Sequence, residues 1–110
     1  MKTEQIDKFK QEIEEEIERR HYNSLVYVLF DELNTAPFAI HIFYRDHLFM
    51  VNSRDDRSYV LGKTFEFTNF LEAKDKFFKV LDFIVREGRR DVAKRGSYMY
   101  PSPLWDDATE

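Results

Sequence analysis

The sequence predicts an α+β domain: an N-terminal helix, a four-stranded antiparallel meander, a C-terminal helix packed on the sheet and an aromatic C-terminal tail. Three observations carry this expectation. Apolar residues recur at steps of three and four before Arg20 and again after Asn69, which is the helical period. Between Ser24 and Phe67 lie four consecutive runs rich in aromatic and β-branched residues, SLVYVLFDEL, FAIHIFYRD, HLFMVNS and RSYVLGKTFEF, which suit a pleated, half-buried surface. The tail GSYMYPSPLWDD mixes turn residues with Tyr98, Met99, Tyr100, Leu104 and Trp105. The chain, 1–110, reads as one domain, with a helix over 4–20, strands within 24–67, a helix over 69–87 and the tail over 89–110.

In the first helix, with Thr3 as its expected N-cap, Ile6, Phe9, Ile13 and Ile17 stack on one face. Glu4, Gln11, Glu15 and Glu18 fall opposite, with Glu12, Glu14 and Glu16 on the flanks. Like charges four residues apart cost an isolated helix a few tenths of a kcal/mol each, so helix stability is not what these glutamates supply. Arg19 and Arg20 offset part of the cost at the basic end, through Glu15–Arg19 and Glu16–Arg20 spacing. The face is either a solvated surface or a contact for a basic partner.

The helix stops at His21-Tyr22-Asn23-Ser24. LVYVLF is then apolar on both alternating sets, the pattern of a strand covered on both faces. Asn34-Thr35-Ala36-Pro37 reads as the turn to strand two. There Phe38, Ile40, Ile42 and Tyr44 form the better core face, and Ala39, His41, Phe43 and Arg45 a mixed one. Asp46-His47 makes a tight hairpin and Arg54-Asp55-Asp56-Arg57 the next turn, while Gly62 marks a bulge or bend in strand four.

Asn69 with Glu72 three places on is a capping box for the second helix, whose stripe is Phe70, Ala73, Phe77, Leu81 and Ile84. Gly88 is the expected C′ residue, with Arg86, Arg89 and Arg90 at the negative helix end. The tail's aromatics fold back over the domain or bind a partner, because disordered segments are poor in aromatics.

Composition narrows the chemistry. With eleven Phe, six Tyr and one Trp, aromatics dominate the core and any interface. Having no cysteine, the chain offers neither disulfides nor thiolate metal sites. No apolar leader region and no membrane-length run occurs, so the expected location is cytoplasmic and no membrane partner is expected. The formal charge of −4, with acid concentrated in QEIEEEIE and base in REGRRDVAKR, argues against a duplex DNA reader, so no nucleic-acid partner is expected. His21, His41 and His47 lack metal-ligand spacing, and no phosphate loop or nucleophile motif is present. Neither catalytic residues nor a cofactor are therefore expected. The pairs Asp31-Glu32, Asp55-Asp56 and Asp106-Asp107 read as turn or solubility residues.

The acidic first helix, the strand ending in Asp-Glu, the YRDH hairpin and the FTNFLEA start of the last helix resemble the small immunity proteins of bacterial polymorphic toxin systems. The nearest family is immunity protein fifty-nine, over Glu4 to Val85, with the tail from Arg89 onward outside the resemblance. It implies a non-enzymatic protein that binds and neutralises a cognate toxin domain, often a nuclease. With a basic toxin as partner, the expected contacts are Glu12, Glu15, Glu16, Asp55 and Asp56 for charge and Tyr100 and Trp105 as anchors. The alternatives are a phage-encoded acidic inhibitor that mimics nucleic acid, of the anti-CRISPR type, and a structural homodimeric module. Both monomer and homodimer stay open.

Overall fold

Residues 1–107 are described by a computed structural model; residues 108–110, the end of the predicted tail, lie outside the described residues. The elements run α1 (Thr3–Arg19), β1 (Tyr27–Leu29), β2 (Ile40–Arg45), β3 (Leu48–Arg54), β4 (Val60–Phe67) and α2 (Phe70–Arg95), followed by a 3-10 turn over Pro103–Asp107. This is the expected α+β order, with strands in the spatial order β1-β2-β3-β4.

The sheet is mixed, which corrects the expected antiparallel meander. β1 pairs with β2 in parallel, Tyr27 with Ile40 and Leu29 with Ile42, while β2–β3 and β3–β4 are antiparallel. The reason lies in residues 30–39. They do not form a hairpin but carry the chain back to the end where β1 began. Each end of this connection is set by a phenylalanine in the left-handed region, Phe30 at φ 54° and Phe38 at φ 63°. The Phe30 N–H donates to the Ile42 carbonyl at 2.7 Å, and Phe38 N–H to the Asp55 carbonyl at 3.0 Å. Asn34, expected to begin a hairpin turn, instead accepts from Ala36 N–H at 2.9 Å in a local side-chain turn.

The Asp46-His47 hairpin forms as expected, both residues having positive φ as a two-residue turn with the twist of its strands requires. Gly62, at φ 68°, sits in a register shift where Asn52 alone faces the stretch between Leu61 and Phe65.

α1 and α2 lie side by side on one face of the sheet and run in the same direction. Phe9 stacks on Phe70 at 3.9 Å near their N-termini, and Arg20 reaches Asp82 at 3.2 Å further along. Ile13, Ile17, Phe77 and Leu81 are fully buried against Ile40, Ile42, Phe49 and Val51. α1 begins one residue earlier than expected: Lys2 is the N-cap and makes no side-chain cap bond, and Thr3 is already helical. Its C-terminus closes with Tyr22 N–H on the Ile17 carbonyl and His21 N–H on Glu18, a Schellman arrangement with His21 at φ 60°.

α2 opens on the expected capping box, Asn69 Oδ1 accepting from Glu72 N–H at 2.9 Å and Asn69 Nδ2 donating to Glu72 Oε1 at 2.9 Å. Its expected end is corrected. The helix continues for two turns beyond Gly88 and stops at Gly96, which takes the left-handed cap at φ 66°. Gly88 is an interior, buried residue, and Arg89 and Arg90 are therefore helical and not tail.

The opposite sheet face is buried as well. Val28, Ala39, His41, Phe43, Met50 and Asn52 have almost no exposure, and the 30–39 connection meets this face at Glu32, whose carbonyl accepts from Arg54 Nη2 at 3.5 Å. Arg45 ties it down, donating to Glu32 Oε2 at 2.9 Å while its guanidinium lies over the Phe43 ring.

Candidate functional site

The structure separates the expected contact residues into two groups. Glu15 is exposed on the outer side of α1 beside Glu14 and Glu18, and Glu12 is half-buried on its flank. None of these four carboxylates has an ion-pair or hydrogen-bond partner among the described residues. Glu16 is different. It accepts from Arg19 and, at 2.6 Å, from Arg20 Nε, and the Arg20 and Arg19 hydrogen bonds hold its carboxyl below the ordinary range. Arg20 continues to Asp82 of α2 and covers the Phe78 ring at 4.6 Å.

Tyr22 completes this chain of contacts. Its hydroxyl donates to Asp82 Oδ1 at 2.6 Å. Burial, followed by the Asp82 hydrogen bond and charge, pushes the phenol up to about 12. Glu16, Arg20, Asp82 and Tyr22 thus join α1 to α2, and Glu16 is engaged inside the fold. The Glu16–Arg20 spacing was visible in the sequence; its distant partner Asp82 had no local signal.

Asp55 and Asp56 lie in the β3–β4 turn. Asp55 is half-buried and its Oδ1 accepts from Arg57 N–H and Tyr59 N–H, both at 2.9 Å, so its carboxylate builds the turn. Asp56 is exposed beside it. The same end of the sheet holds the tail, since Phe38, bonded to Asp55, meets the Tyr100 ring at 6.2 Å. Tyr100 accepts from Val26 N–H at 3.3 Å, and its carbonyl accepts from Trp105 Nε1 at 2.7 Å. Trp105 is 2 % exposed and belongs to the core, whereas Tyr98 and Met99 are open to solvent. Tyr100, Trp105 and Asp55 therefore share one end, and among the described residues no hydrogen bond or ion pair links them to the α1 glutamates.

The two helices differ in charge. α1 holds seven acidic residues against three basic, and α2 eight basic against five acidic. Among the described residues no group of three or more His, Asp or Glu is placed to hold a metal ion, and no helix is long and apolar enough to cross a membrane. On the side of α2 toward β4, Lys76, Lys79 and Arg86 line a groove with Phe65, and of these three the sequence singled out only Arg86, as a cation at the helix end.

What the fold and surface define is a small α+β protein with a core on both sides of its sheet and an acidic helix turned to solvent. The chain belongs to the immunity protein 59 family, whose profile matches residues 6–106, nearly the whole chain. That match corrects the narrower extent expected from the resemblance: the tail up to Asp106, Tyr100 and Trp105 included, lies within it. No curated protein and no solved structure matches the chain.

Proposed function

We propose that this chain binds and neutralises a cognate toxin domain in the cytoplasm, as a protein without catalytic activity of its own. The family supplies the toxin as partner class, and immunity proteins are in general non-catalytic. The observation that carries the choice of surface is the exposed ridge Glu14, Glu15 and Glu18, three carboxylates at helical spacing that make no ion pair among the described residues, since Arg19 beside Glu15 and Glu18 pairs with Glu16. Their mutual repulsion is a standing cost to the helix that a basic partner surface removes.

Charge of this kind steers encounter over distances near the Debye length and fixes orientation, while buried contacts set the lifetime of a complex. Asp56, exposed at the sheet end, adds to the same sign of field. Trp105 supports the complex only indirectly, by holding the tail in place.

The test is co-expression with the toxin encoded beside the chain, together with association rates at two salt concentrations. Replacing Glu14, Glu15 and Glu18 together by Gln is expected to slow association and flatten its salt dependence. Full protection with an unchanged salt slope would make α1 a solvated face only.

A further inference from the structure

β4 is the terminal strand of the sheet, and its outer backbone edge is unpaired among the described residues. Tyr59, Val60 and Leu61 stand exposed at its start, an arrangement that edge strands usually avoid. Two adjoining grooves of about 680 and 510 Å³, sharing Lys76 and Lys79, run along the outward side of α2 toward this strand. Their lining includes three aromatic rings, Phe65 and Phe67 from β4 and Phe83 of α2, which is 50 % exposed, and three carboxylates that are already engaged, Asp82 by Arg20 and Tyr22, Asp75 by Lys79 and Glu72 by Asn69.

Cations lie on these rings. Lys76 Nζ is 4.0 Å and Lys63 Nζ 5.1 Å from the Phe65 centroid, and the Arg86 guanidinium is 6.0 Å from that of Phe83. None of the three has a carboxylate partner among the described residues. Lys79, one turn from Lys76, shows the contrast, being paired with Asp75 at 3.0 Å. A cation held over a ring keeps its full charge and is positioned to receive an anion.

We propose that the channel between β4 and α2 receives an extended, carboxylate-bearing segment of the partner as a fifth strand. That the partner is a protein rests on the function proposed above. Such a segment satisfies all three features at once. Its backbone pairs with the free edge. The carboxylates at alternate positions, all turned to the α2 side, enter the groove with their methylene stems against the rings and reach Lys63, Lys76 and Arg86, while the intervening apolar side chains lie on the other face of the strand. A nucleic acid would meet the cations and rings but would leave the strand edge unused. The channel is opposite in sign to α1, so the two surfaces together admit one orientation of a partner that presents a basic patch and an acidic strand.

The probe is a short fluorescein-labelled peptide of alternating Val and Glu, with its Val/Lys counterpart and a labelled oligothymidylate as comparisons, titrated into the full chain. The expected result is binding of the acidic peptide with amide shifts concentrated in Tyr59–Phe67. Lys63→Glu and Arg86→Glu, both at exposed positions, should each weaken it about ten-fold without changing the melting temperature. Lys76→Gln, which keeps the alkyl stem over Phe65, should weaken it in the same direction. Equal binding of the Val/Lys peptide or the oligothymidylate, shifts elsewhere, or a homodimer already paired through β4 would overturn the channel. The two readings fail separately. Protection from the toxin with no peptide binding removes the channel and leaves the function, whereas peptide binding at β4 with no protection removes the function and leaves the channel.

Discussion

The indole of Trp105 lies flat against Gly88, so close that a Cβ at position 88 would overlap Cζ3 and Cε3 and stand 2.9 Å from Cδ2. A glycine inside a helix costs about 1 kcal/mol relative to alanine, yet here it is the residue that lets the tail dock. Gly88→Ala is therefore expected to destabilise by about 1–3 kcal/mol through overpacking, despite its gain in helix propensity. In a Trp105→Ala background the same change should stabilise, by up to about 1 kcal/mol. Urea unfolding of the four proteins in this cycle measures both signs. Equal effects in the two backgrounds would show that the ring does not constrain position 88.

Trp105→Ala itself is expected to cost about 3–5 kcal/mol, the range for truncating a buried aromatic. The Tyr100 carbonyl also loses the indole N–H that donates to it, so Tyr100 and Ser102, which bonds to Ser24, should loosen together. As the only tryptophan, its emission should be blue-shifted in the folded chain and move to the water-exposed value on unfolding. A spectrum unchanged by denaturant would contradict the docking.

Asp82 is the acceptor for both Arg20 and Tyr22, so Asp82→Ala should cost more than Glu16→Gln. The first leaves a half-buried phenol without its charged acceptor, about 1.5–3 kcal/mol, and the second weakens a surface pair worth about 0.2–1 kcal/mol. Tyr22 adds an alkaline signature. Its folded pKa of about 12 lies above the ordinary value of 10, so the stabilisation is complete below pH 10 and is lost as pH rises toward 12. Tyr22→Phe should remove that part of the alkaline slope, which thermal melts across the range would read.

How far the sequence could be read depended on whether the decisive partner was local. The Asp46-His47 hairpin and the Asn69–Glu72 capping box are set by residues within a few positions of one another, and both were legible. The direction of β1 was not, because it depends on where residues 30–39 travel after Phe30. The run LVYVLF, apolar on both sides, was the available sign of a strand buried on both faces. Gly88 was read as a helix end because glycine usually is one; its actual reason, Trp105, is seventeen positions away. Lys94 and Arg95 before Gly96 were a sound stop signal that Gly88 masked. For the proposed contact surface, the outward set Glu15 and Glu18 followed from helical period alone. The engagement of Glu16 with Asp82 through Arg20 and the cations over Phe65 depend on the packing of α2.

The sharpest consequence of the second sheet face is acid sensitivity at His41. Its ring is fully buried, and neither nitrogen finds a hydrogen-bond partner among the described residues. Burial, followed by the charge of Arg54 and against the weaker pull of Asp31, holds its pKa down to about 4, from an ordinary 6.5. As pH falls below 6.5 the unfolded chain takes up a proton that the folded chain refuses until about pH 4. Stability should decline by about 3 kcal/mol across that window and level off beneath it. Glu16, whose pKa is also lowered, loses stability at more acidic pH, so the interval from pH 6.5 to about 5 belongs to His41. His41→Leu removes two unpaired buried nitrogens and should be neutral or stabilising at pH 7. Its denaturation midpoint should then stay flat over that interval, where the parent's falls. A parent profile that is itself flat from pH 6.5 to 5 would mean that the imidazole accepts a proton in place, with the 30–39 connection opening to let it be hydrated.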